Sequence, residues 1–376
     1  MSAPPPARGG LQVWSPGFTG FGGGIAAFGK ALVQVLLLKA RPITLCGRDD
    51  VGGSLLGQPL HGAGRWSLPL RKLAYAWLLL RLAGAQRPEL VICTHLNYGP
   101  VALVARILFG IPYAVVGHGV EVDPGMSVLR RMALRRASAV WVVSRWTRDR
   151  ARALGVHPDR IEILGNTVDP GRFHPGTTSD SLRSGLAVPA GARVVLTVAR
   201  LDPAEGYKGC DAVLRALPRL NAAMGAVHYV IAGRGEDEVR LRELARQLKI
   251  EDRVHFAGFV DGSDLPGYYA TADVYAMPSL GEGFGIVFLE AMASGTPVLG
   301  GNLDGTLDAL DDGRLGALVD PRDDDAVASG LQSLLEGRGE DFWFEPLRLR
   351  EACLDRHGPA AFQERIDQAL ARAGVH

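Results

Sequence analysis

Residues 281–298 read G-E-G-F-G-I-V-F-L-E-A-M-A-S-G-T-P-V, and this stretch decides the fold prediction. Three glycines around one carboxylate allow a sharp turn and a close backbone approach to a ligand. The apolar, helix-forming run that follows ends at Gly295, before an extended segment. A glycine turn that opens a helix exposes backbone N–H groups at the positive end of the helix dipole, where a phosphate binds well. Because Glu282 and Glu290 add acceptors for hydroxyl groups, the stretch predicts a pocket for a sugar nucleotide.

Length and composition indicate a globular chain of two domains. The chain has 376 residues, of which 47% are hydrophobic and 22% charged, and this is enough for two cores of ordinary size. The most apolar segment, 101–116, is interrupted by Arg106 and Pro112 and is shorter than the roughly 20 apolar residues of a membrane span. Residues 1–10 lack the apolar core of a signal peptide, so we expect a cytoplasmic protein. The four cysteines are expected to be reduced thiols without a metal-binding role.

The net charge of +1 hides a strong asymmetry between the two halves of the chain. Residues 1–165 contain 20 Lys and Arg against 8 Asp and Glu, whereas residues 166–376 contain 21 against 32. A basic half is consistent with an anionic partner such as a membrane surface or a phosphorylated lipid. The alternative is that the arginines simply decorate solvated helices, and composition alone does not separate the two. No nucleic-acid motif accompanies the charge.

The first half begins as a doubly wound α/β domain does. A short strand at 11–14 leads into the glycine-rich loop 16–24 and then into a helix over 25–40, which is the first unit of a parallel sheet. The glycine spacing is not that of a dinucleotide fingerprint, and no acidic residue follows at the expected distance. Residues 66–82 form an apolar segment bearing basic residues. A membrane-surface helix is one interpretation, but a helix that packs on the sheet is the more common outcome for such a pattern.

Two histidines follow predicted strands, at the edge of the sheet where α/β folds bind ligands. His118 lies between two glycines after the strand at 113–116, a poor position for filling a core. We therefore predict that His118 contacts a ligand. His95, after the strand at 90–93, is a weaker candidate, with a structural role as the alternative.

The second half repeats the strand–loop–helix pattern with two cations in its first loop. Arg200 and Lys208 flank the loop between the strand at 193–198 and the helix that starts at 210, so both can converge on one anion. Arg234, after the next strand, is as consistent with solvent exposure as with a nucleotide contact. The acidic run 323–325 precedes a helix and is interpreted as an N-terminal cap rather than a metal site.

The run 281–298, together with Arg200 and Lys208, resembles the donor-site signature of retaining GT-B glycosyltransferases. This large family, glycosyl transferases group 1, includes sucrose synthase and the bacterial phosphatidylinositol mannosyltransferases. The resemblance covers nearly the whole chain and is closest over 200–321. The chain departs from the family pattern at Asp304, where glycine is usual, and at Asp308, where glutamate is usual. An added carboxylate at 304 could bind a sugar hydroxyl or bias the choice of sugar.

The resemblance implies an α/β fold of the GT-B type, with two facing doubly wound Rossmann-like domains and a C-terminal helix that packs back on the first. The implied domains are 1–170 on the acceptor side, a linker at 171–190, a nucleotide-sugar domain at 191–345 and a returning helical segment at 346–376.

The resemblance also implies a role for each site residue. Arg200 and Lys208 are expected to stabilise the departing diphosphate, which no metal is then needed to do. Glu282 and His118 are expected to orient the donor sugar, and Glu290 to hold the ribose hydroxyls. The backbone positions expected to approach the diphosphate or the base are Gly23, Gly24, Gly283, Phe284, Gly285 and Val260.

The implied reaction is transfer of a hexose of the mannose or glucose type from a nucleotide diphosphate sugar, with retention of configuration. The nucleotide sugar is a substrate, and no cofactor is expected. The basic first half favours a lipid-linked acceptor in bacterial exopolysaccharide or envelope glycan assembly, at the inner face of the cytoplasmic membrane. The alternatives are a soluble acceptor, a sugar-nucleotide epimerase of the same fold and a sugar-nucleotide or glycan-binding protein without activity.

Overall fold

The computed structural model describes residues 9–19, 23–39, 41–176 and 180–375. The chain divides into two compact units, one of 1–165 with 362–376 and one of 166–361. Part of the glycine-rich loop, 20–22, lies outside the described residues, as do 177–179 of the predicted linker. Among the described residues, none of the helices is both long enough and apolar enough to span a bilayer.

The first unit is built on a sheet whose strand order is β3-β4-β2-β1-β5-β6-β7-β8 within the described ranges. Only β3 runs antiparallel, against β4. Apart from β3, β4 and β8, which are partly exposed, the strands are short apolar runs that are buried on both faces, as parallel strands in α/β proteins are. Their bounds are β1 Leu11–Ser15, β2 Ile43–Gly47, β3 Gly53–Leu55, β4 Gln58–Gly62, β5 Leu90–Cys93, β6 Tyr113–Gly117, β7 Ala139–Val142 and β8 Ile161–Ile163.

Helices cover both faces of this sheet and form two separate cores. The described helices of this part of the chain are α1 Gly24–Leu37, α2 Leu68–Gln86, α3 Gly99–Phe109, α4 Val128–Arg136 and α5 Arg145–Ala153. Side chains of α2, α3, α4 and α5 share one core with the strands. Those of α1 form the other. The prediction that 66–82 packs on the sheet is confirmed for one side of α2, where Tyr75, Leu79 and Ala83 are buried.

The second unit contains a fully parallel sheet of strand order β11-β10-β9-β12-β13-β14. This is the strand order of a Rossmann fold, in which the order reverses between the first and the fourth strand along the chain. The strands are β9 Arg193–Val198, β10 Val227–Ala232, β11 Val254–Gly258, β12 Val274–Met277, β13 Val298–Gly301 and β14 Ala317–Val319. The helices are α6 Asp180–Gly185, α7 Cys210–Met224, α8 Glu238–Gln247, α9 Leu265–Thr271, α10 Ile286–Ala293, α11 Thr306–Ala309, α12 Asp324–Leu335 and α13 Pro346–His357.

The last helix, α14 Pro359–Arg372, returns to the first unit. Its buried residues Phe362, Ile366, Ala369 and Leu370 join the core that α1 forms with the strands. The returning C-terminal helix of the fold prediction is therefore confirmed. The segment before it, α13, packs on α10 in the second unit, and the described part of 171–190 also belongs to that unit.

The acidic run 323–325 caps a helix, as its position indicates. Asp323 Oδ1 accepts hydrogen bonds from the N–H groups of Asp325 and Ala326, each at 3.0 Å, at the start of α12. The interpretation of these carboxylates as a helix cap is confirmed.

Candidate active site

Two loops of the second unit meet at the point where the strand order of its sheet reverses, between β9 and β12. The loop after β9 carries Arg200 and Lys208, and the loop after β12 leads into α10. The two loops are joined by a hydrogen bond of 2.8 Å from Leu280 N–H to the Tyr207 carbonyl. A side chain at Gly209, which has a φ of 79°, would place its Cβ 2.1 Å from the Pro278 carbonyl oxygen. Only glycine permits this approach, so the contact between the two loops requires Gly209.

Arg200 and Lys208 converge on one carboxylate, that of Glu205. Glu205 Oε2 lies 2.6 Å from Lys208 Nζ, and its Oε1 pairs with the Arg200 guanidinium. Lys208 is 16% exposed and Glu205 13%, whereas Arg200 is 77% exposed. The loop therefore gathers two cations around a single anionic group. This is the geometry predicted for a diphosphate, with an internal carboxylate in place of the ligand.

The Asp304 carboxylate holds the glycine turn before α10 in place. This carboxylate accepts hydrogen bonds from Glu282 N–H at 2.7 Å, Ser279 Oγ at 2.8 Å and Thr306 N–H at 2.9 Å. It is 1% exposed, and burial raises its pKa. The expectation that Asp304 binds a sugar hydroxyl is wrong, because the carboxylate is enclosed and its oxygens serve the protein's own groups. Asp304 positions the turn instead.

The turn itself requires glycine where the helix starts. Gly285 has a φ of 85°, and a Cβ there would come within 2.6 Å of the Phe288 ring. The turn brings the Phe284 N–H within reach of the Glu282 carboxylate, which accepts a hydrogen bond from it. Backbone donors thus gather at the N-terminus of α10, where the helix dipole favours an anion.

Glu282 lies close enough to Lys208 for the ammonium to affect the charge of the carboxyl group. Burial raises the pKa of Glu282, the Lys208 ammonium opposes this effect, and the Asp304 and Glu205 carboxylates reinforce it. Three of the four residues predicted to be catalytic, Arg200, Lys208 and Glu282, are therefore brought together in the second unit. The cluster can neutralise a diphosphate and can present a carboxyl group to a hydroxyl.

Glu290 lies further along α10, beside a buried tyrosine. Its Oε2 accepts a hydrogen bond of 2.8 Å from the hydroxyl of Tyr269, which is fully buried. Burial raises the pKa of Glu290 to about 7, although the Tyr269 hydrogen bond and the charge of Arg172 oppose the rise. A carboxylate with one lone pair engaged can accept further hydroxyl groups, as the predicted ribose contact requires.

Val260 follows β11, beside an exposed pair of side chains. The Arg234 guanidinium lies 5.0 Å from the centroid of the Phe259 ring, and both side chains are exposed. Arg234 is thus exposed and stacks on an aromatic ring, a geometry that fits both a solvated arginine and a nucleotide contact. An exposed cation–aromatic pair at the ends of β10 and β11 can stack against a planar base.

In the first unit, His118 is fixed after β6 by two contacts. Its Nε2 lies 2.7 Å from the Thr94 carbonyl oxygen, so Nε2 carries a hydrogen and donates it. Its backbone N–H donates to Glu121 Oε1 at 2.6 Å. The Phe28 ring, from α1, packs against the imidazole in a T-shaped arrangement with ring centroids 5.2 Å apart. The first turn of α1 includes Gly24 and follows Gly23, whose φ is 106°, so α1 links these positions to His118.

Two further groups of the first unit have structural roles at the same sheet edge. His95 Nδ1 accepts a hydrogen bond of 3.0 Å from Asn97 N–H, and burial lowers its pKa to about 4, so it is neutral at pH 7. The buried Asp50 carboxylate accepts from the N–H groups of Phe18 and Thr19, each at 2.9 Å. It thereby anchors the start of the glycine-rich loop.

Solved structures superpose on the chain over almost its whole length. Sucrose-phosphate synthase from Thermosynechococcus elongatus matches with a TM-score of 0.79 and 21% identity, over 97% of this chain and 98% of that one. Anabaena HepE in complex with UDP and glucose matches with a TM-score of 0.76 and 19% identity, over 96% and 99%. The likeness defines the class by its fold: the chain has the GT-B fold of glycosyltransferases.

Sequence comparison then gives the family. A model of glycosyl transferases group 1 matches residues 179–350, and a glycosyl transferase 4-like domain matches 26–167. A D-inositol 3-phosphate glycosyltransferase from Acidothermus cellulolyticus is 30% identical over 75% of this chain and 68% of its own length. The chain belongs to the glycosyl transferases group 1 family and is a nucleotide-sugar-dependent glycosyltransferase.

A second relative is more similar over a shorter region. The GDP-mannose-dependent alpha-(1-6)-phosphatidylinositol monomannoside mannosyltransferase of Mycobacterium tuberculosis is 36% identical over 64% of this chain. The matched region spans 65% of that enzyme's length.

The sequence did not predict three features of the site, namely the roles of Glu205 and Tyr269 and the supporting role of Asp304. A glutamate three residues before Lys208 was the available signal for Glu205, since that spacing permits an ion pair. Nothing local to Asp304 or Tyr269 indicates their partners, Glu282 and Glu290, which lie about 20 residues away in sequence.

Replacement of Glu290 by glutamine is expected to stabilise the unliganded protein above pH 7. The raised pKa means that the folded state keeps a proton which the unfolded state loses near pH 4.5. Stability is therefore lost as pH rises from about 4.5 to about 7, by about 3 kcal/mol for this group. Urea denaturation of both proteins at several pH values measures the difference.

The same variant is expected to bind nucleoside diphosphate more weakly, because the amide accepts hydrogen bonds through only one oxygen. Glu351→Gln, an exposed change on α13, is the control and should alter neither property. A Glu290→Gln variant with the same pH profile as the wild type would contradict the assignment of a raised pKa.

Replacement of Glu205 by glutamine is expected to tighten nucleoside diphosphate binding about tenfold. The diphosphate must take Arg200 and Lys208 from Glu205, and a net charge-assisted hydrogen bond contributes about 1.5 kcal/mol. Isothermal titration calorimetry with the nucleoside diphosphate measures this change, with Glu236→Gln at an exposed position as the control. Weaker binding would instead mean that Glu205 is needed to position Lys208.

Proposed function

We propose that the protein transfers a hexose of the mannose or glucose type from a nucleotide diphosphate sugar to an acceptor hydroxyl, with retention of anomeric configuration. The observation behind the proposal is that Arg200 and Lys208 lie together where the strand order of the sheet reverses, beside the glycine turn that precedes α10. These groups face the charge that develops on a departing diphosphate. The mycobacterial relative is GDP-mannose-dependent, which supports GDP-mannose as the donor to test first.

The remaining donor-side groups divide the work of binding. Glu290 accepts the ribose hydroxyls, and the backbone at Val260 meets the base, against which Arg234 and Phe259 can stack. Glu282 presents its carboxyl group to the sugar. In the first unit, His118 offers a fixed imidazole in which Nδ1 is the acceptor when the ring is neutral, because Nε2 is the donor to Thr94.

The chemistry requires no protein nucleophile. The bond between the sugar carbon and the diphosphate oxygen breaks as the acceptor oxygen approaches the same face of the sugar, and the leaving phosphate accepts the proton of the acceptor hydroxyl. The contribution of the protein is positioning and stabilisation of charge. Arg200 and Lys208 supply two positive charges at the diphosphate, so we propose that turnover is independent of a divalent metal.

For the acceptor, we propose a lipid-linked saccharide of bacterial exopolysaccharide or envelope glycan assembly, used at the inner face of the cytoplasmic membrane. The phosphatidylinositol monomannoside named for the mycobacterial relative and the basic first unit support it. The alternative is a soluble acceptor, which the inositol phosphate named for the Acidothermus relative favours. Incubation with donor and each acceptor class separates the two. An epimerase would change the donor with neither acceptor present.

Replacement of Lys208 by alanine is expected to lower kcat by about 10²- to 10³-fold, as loss of a donor to developing negative charge does. Release of nucleoside diphosphate from GDP-mannose or UDP-glucose is the readout. Lys249→Ala changes an exposed lysine of the same unit and should keep normal turnover. Near-normal turnover in Lys208→Ala would remove the two-cation arrangement from the proposal.

Treatment with EDTA is expected to leave initial rates unchanged. The physical reason is that Arg200 and Lys208 provide the charge that a divalent cation provides elsewhere. Rates measured with EDTA, and after addition of Mg²⁺ or Mn²⁺ in excess, test this point. A rate that falls to background with EDTA and returns with metal would contradict metal independence.

A further inference from the structure

One side of the first unit combines exposed apolar side chains with a high density of positive charge. Helices α2, α3 and α4 are neighbours there, since α3 contacts both of the others. More than half of the strongly exposed large apolar residues in the described part of the chain lie on these helices or directly before α2. They are Trp66, Leu68, Leu70, Leu73, Trp77, Val104, Ile107, Leu108, Val128 and Leu129. We call this side the α2–α4 face.

Helix α2 is apolar on two opposite sides. Tyr75, Leu79 and Ala83 are spaced by four residues and are buried against the sheet. Leu70, Leu73 and Trp77 have the same helical periodicity on the opposite side, where Leu73 is 72% and Trp77 62% exposed. A helix that only covers a sheet needs the first stripe and carries polar residues in place of the second. The outer stripe therefore calls for a partner.

The charged residues within the three helices of the α2–α4 face all have one sign. The three helices carry three basic residues on α2, one on α3 and four on α4, and their sequences contain no aspartate or glutamate. Arg71 is paired with Asp49. Arg81 lies over the Trp77 ring, with 5.3 Å between its guanidinium carbon and the ring centroid. Arginine and tryptophan side by side are typical of protein surfaces at the boundary between lipid headgroups and acyl chains.

A shallow depression of about 400 Å³ on the same face gathers three arginines around two aliphatic side chains, Leu103 and Ile107. The arginines are Arg106, Arg136 and Arg160. Arg106 Nη1 donates to the Arg136 carbonyl at 2.7 Å and to Ser138 Oγ at 3.1 Å, which fixes its guanidinium. A guanidinium has five N–H groups, more than these two bonds use, so the depression suits a phosphate headgroup.

We propose that the α2–α4 face docks on a bilayer that contains anionic phospholipid. The apolar stripe of α2 enters the headgroup region, and the arginines of α3 and α4 meet lipid phosphates. Charge complementarity selects this occupant, because three neighbouring helices with eight basic residues and no acidic one repel a second copy of themselves. This inference adds the membrane as a partner of the proposed glycosyltransferase. It rests on the proposed function only for the idea that the acceptor is linked to a lipid.

Co-sedimentation with vesicles tests the proposal without any substrate. The full-length protein is expected to bind vesicles of phosphatidylcholine mixed with phosphatidylglycerol at least about tenfold more tightly than vesicles of pure phosphatidylcholine. Binding should weaken as salt is added. Equal binding to both vesicle types, or no binding to either, would overturn the proposal.

Point variants locate the docking face. Leu73→Glu is expected to abolish most vesicle binding, whereas Val239→Glu makes the same kind of change at an equally exposed helix position of the second unit and should bind as the wild type does. Trp77→Ala tests the apolar contribution, and Lys72→Glu with Arg131→Glu tests the charge. Variants that all bind like the wild type would show that another surface is used. Sedimentation velocity without lipid completes the test, since a dimer that Leu73→Glu dissociates would mean that a second copy covers this face.

The result is separable from the transferase assignment. Vesicle binding needs no turnover, and donor turnover in solution needs no vesicle. Leu73→Glu with lost vesicle binding and unchanged donor hydrolysis supports docking independently of catalysis. A protein that docks but never consumes a nucleotide sugar would instead refute the proposed function and leave the docking face in place.

Discussion

The ion pair between Lys208 and Glu205 is the interaction on which the donor-side geometry depends. A lysine that is largely buried needs a nearby anion, since an unpaired charge in that environment is strongly destabilising. Glu205 provides this anion from the same loop, at 2.6 Å. The loop can then hold both cations in place in the absence of a ligand. Pre-organisation of this kind lowers the cost of ordering the site at the moment of binding.

The same cluster carries more negative charge than a diphosphate site needs. Glu282 lies within electrostatic range of Lys208, Asp304 and Glu205. Burial raises the pKa of Glu282 and also that of Asp304. A bound diphosphate adds further negative charge, which favours the protonated form of any carboxyl group beside it. It follows that donor affinity and the protonation of Glu282 are linked. Asp304 has a different role. Its carboxylate accepts hydrogen bonds from the protein and thereby holds the glycine turn in place.

The sequence predicted the elements of the fold and most of the donor-side cluster, because these depend on local patterns. Apolar runs bounded by glycine predict the parallel strands, and the loop between β9 and α7 predicts that Arg200 and Lys208 converge. What the sequence did not predict depends on contacts between distant segments. Asp304 looks like a ligand group when its neighbours are unknown, and only the fold shows that it accepts the N–H of Glu282. For residues 66–82 the sequence left a membrane-surface helix and a sheet-packed helix as alternatives for a related reason, since an apolar helix pattern does not say which sides the sheet covers.

The two units use charge over different distances. The second unit is acidic overall, with 19 basic against 30 acidic residues between 166 and 361, yet we propose that it binds an anionic donor. Contacts within a few ångströms decide that binding, because charges further away than about 8 Å are largely screened at physiological salt. The first unit has the opposite sign, and eight of its basic residues lie on three neighbouring helices. A flat array of like charges attracts an extended anionic surface cooperatively, even though each charge contributes little by itself. An acidic unit with a small basic cluster therefore suits one compact anion, whereas a basic face with an apolar stripe suits a surface.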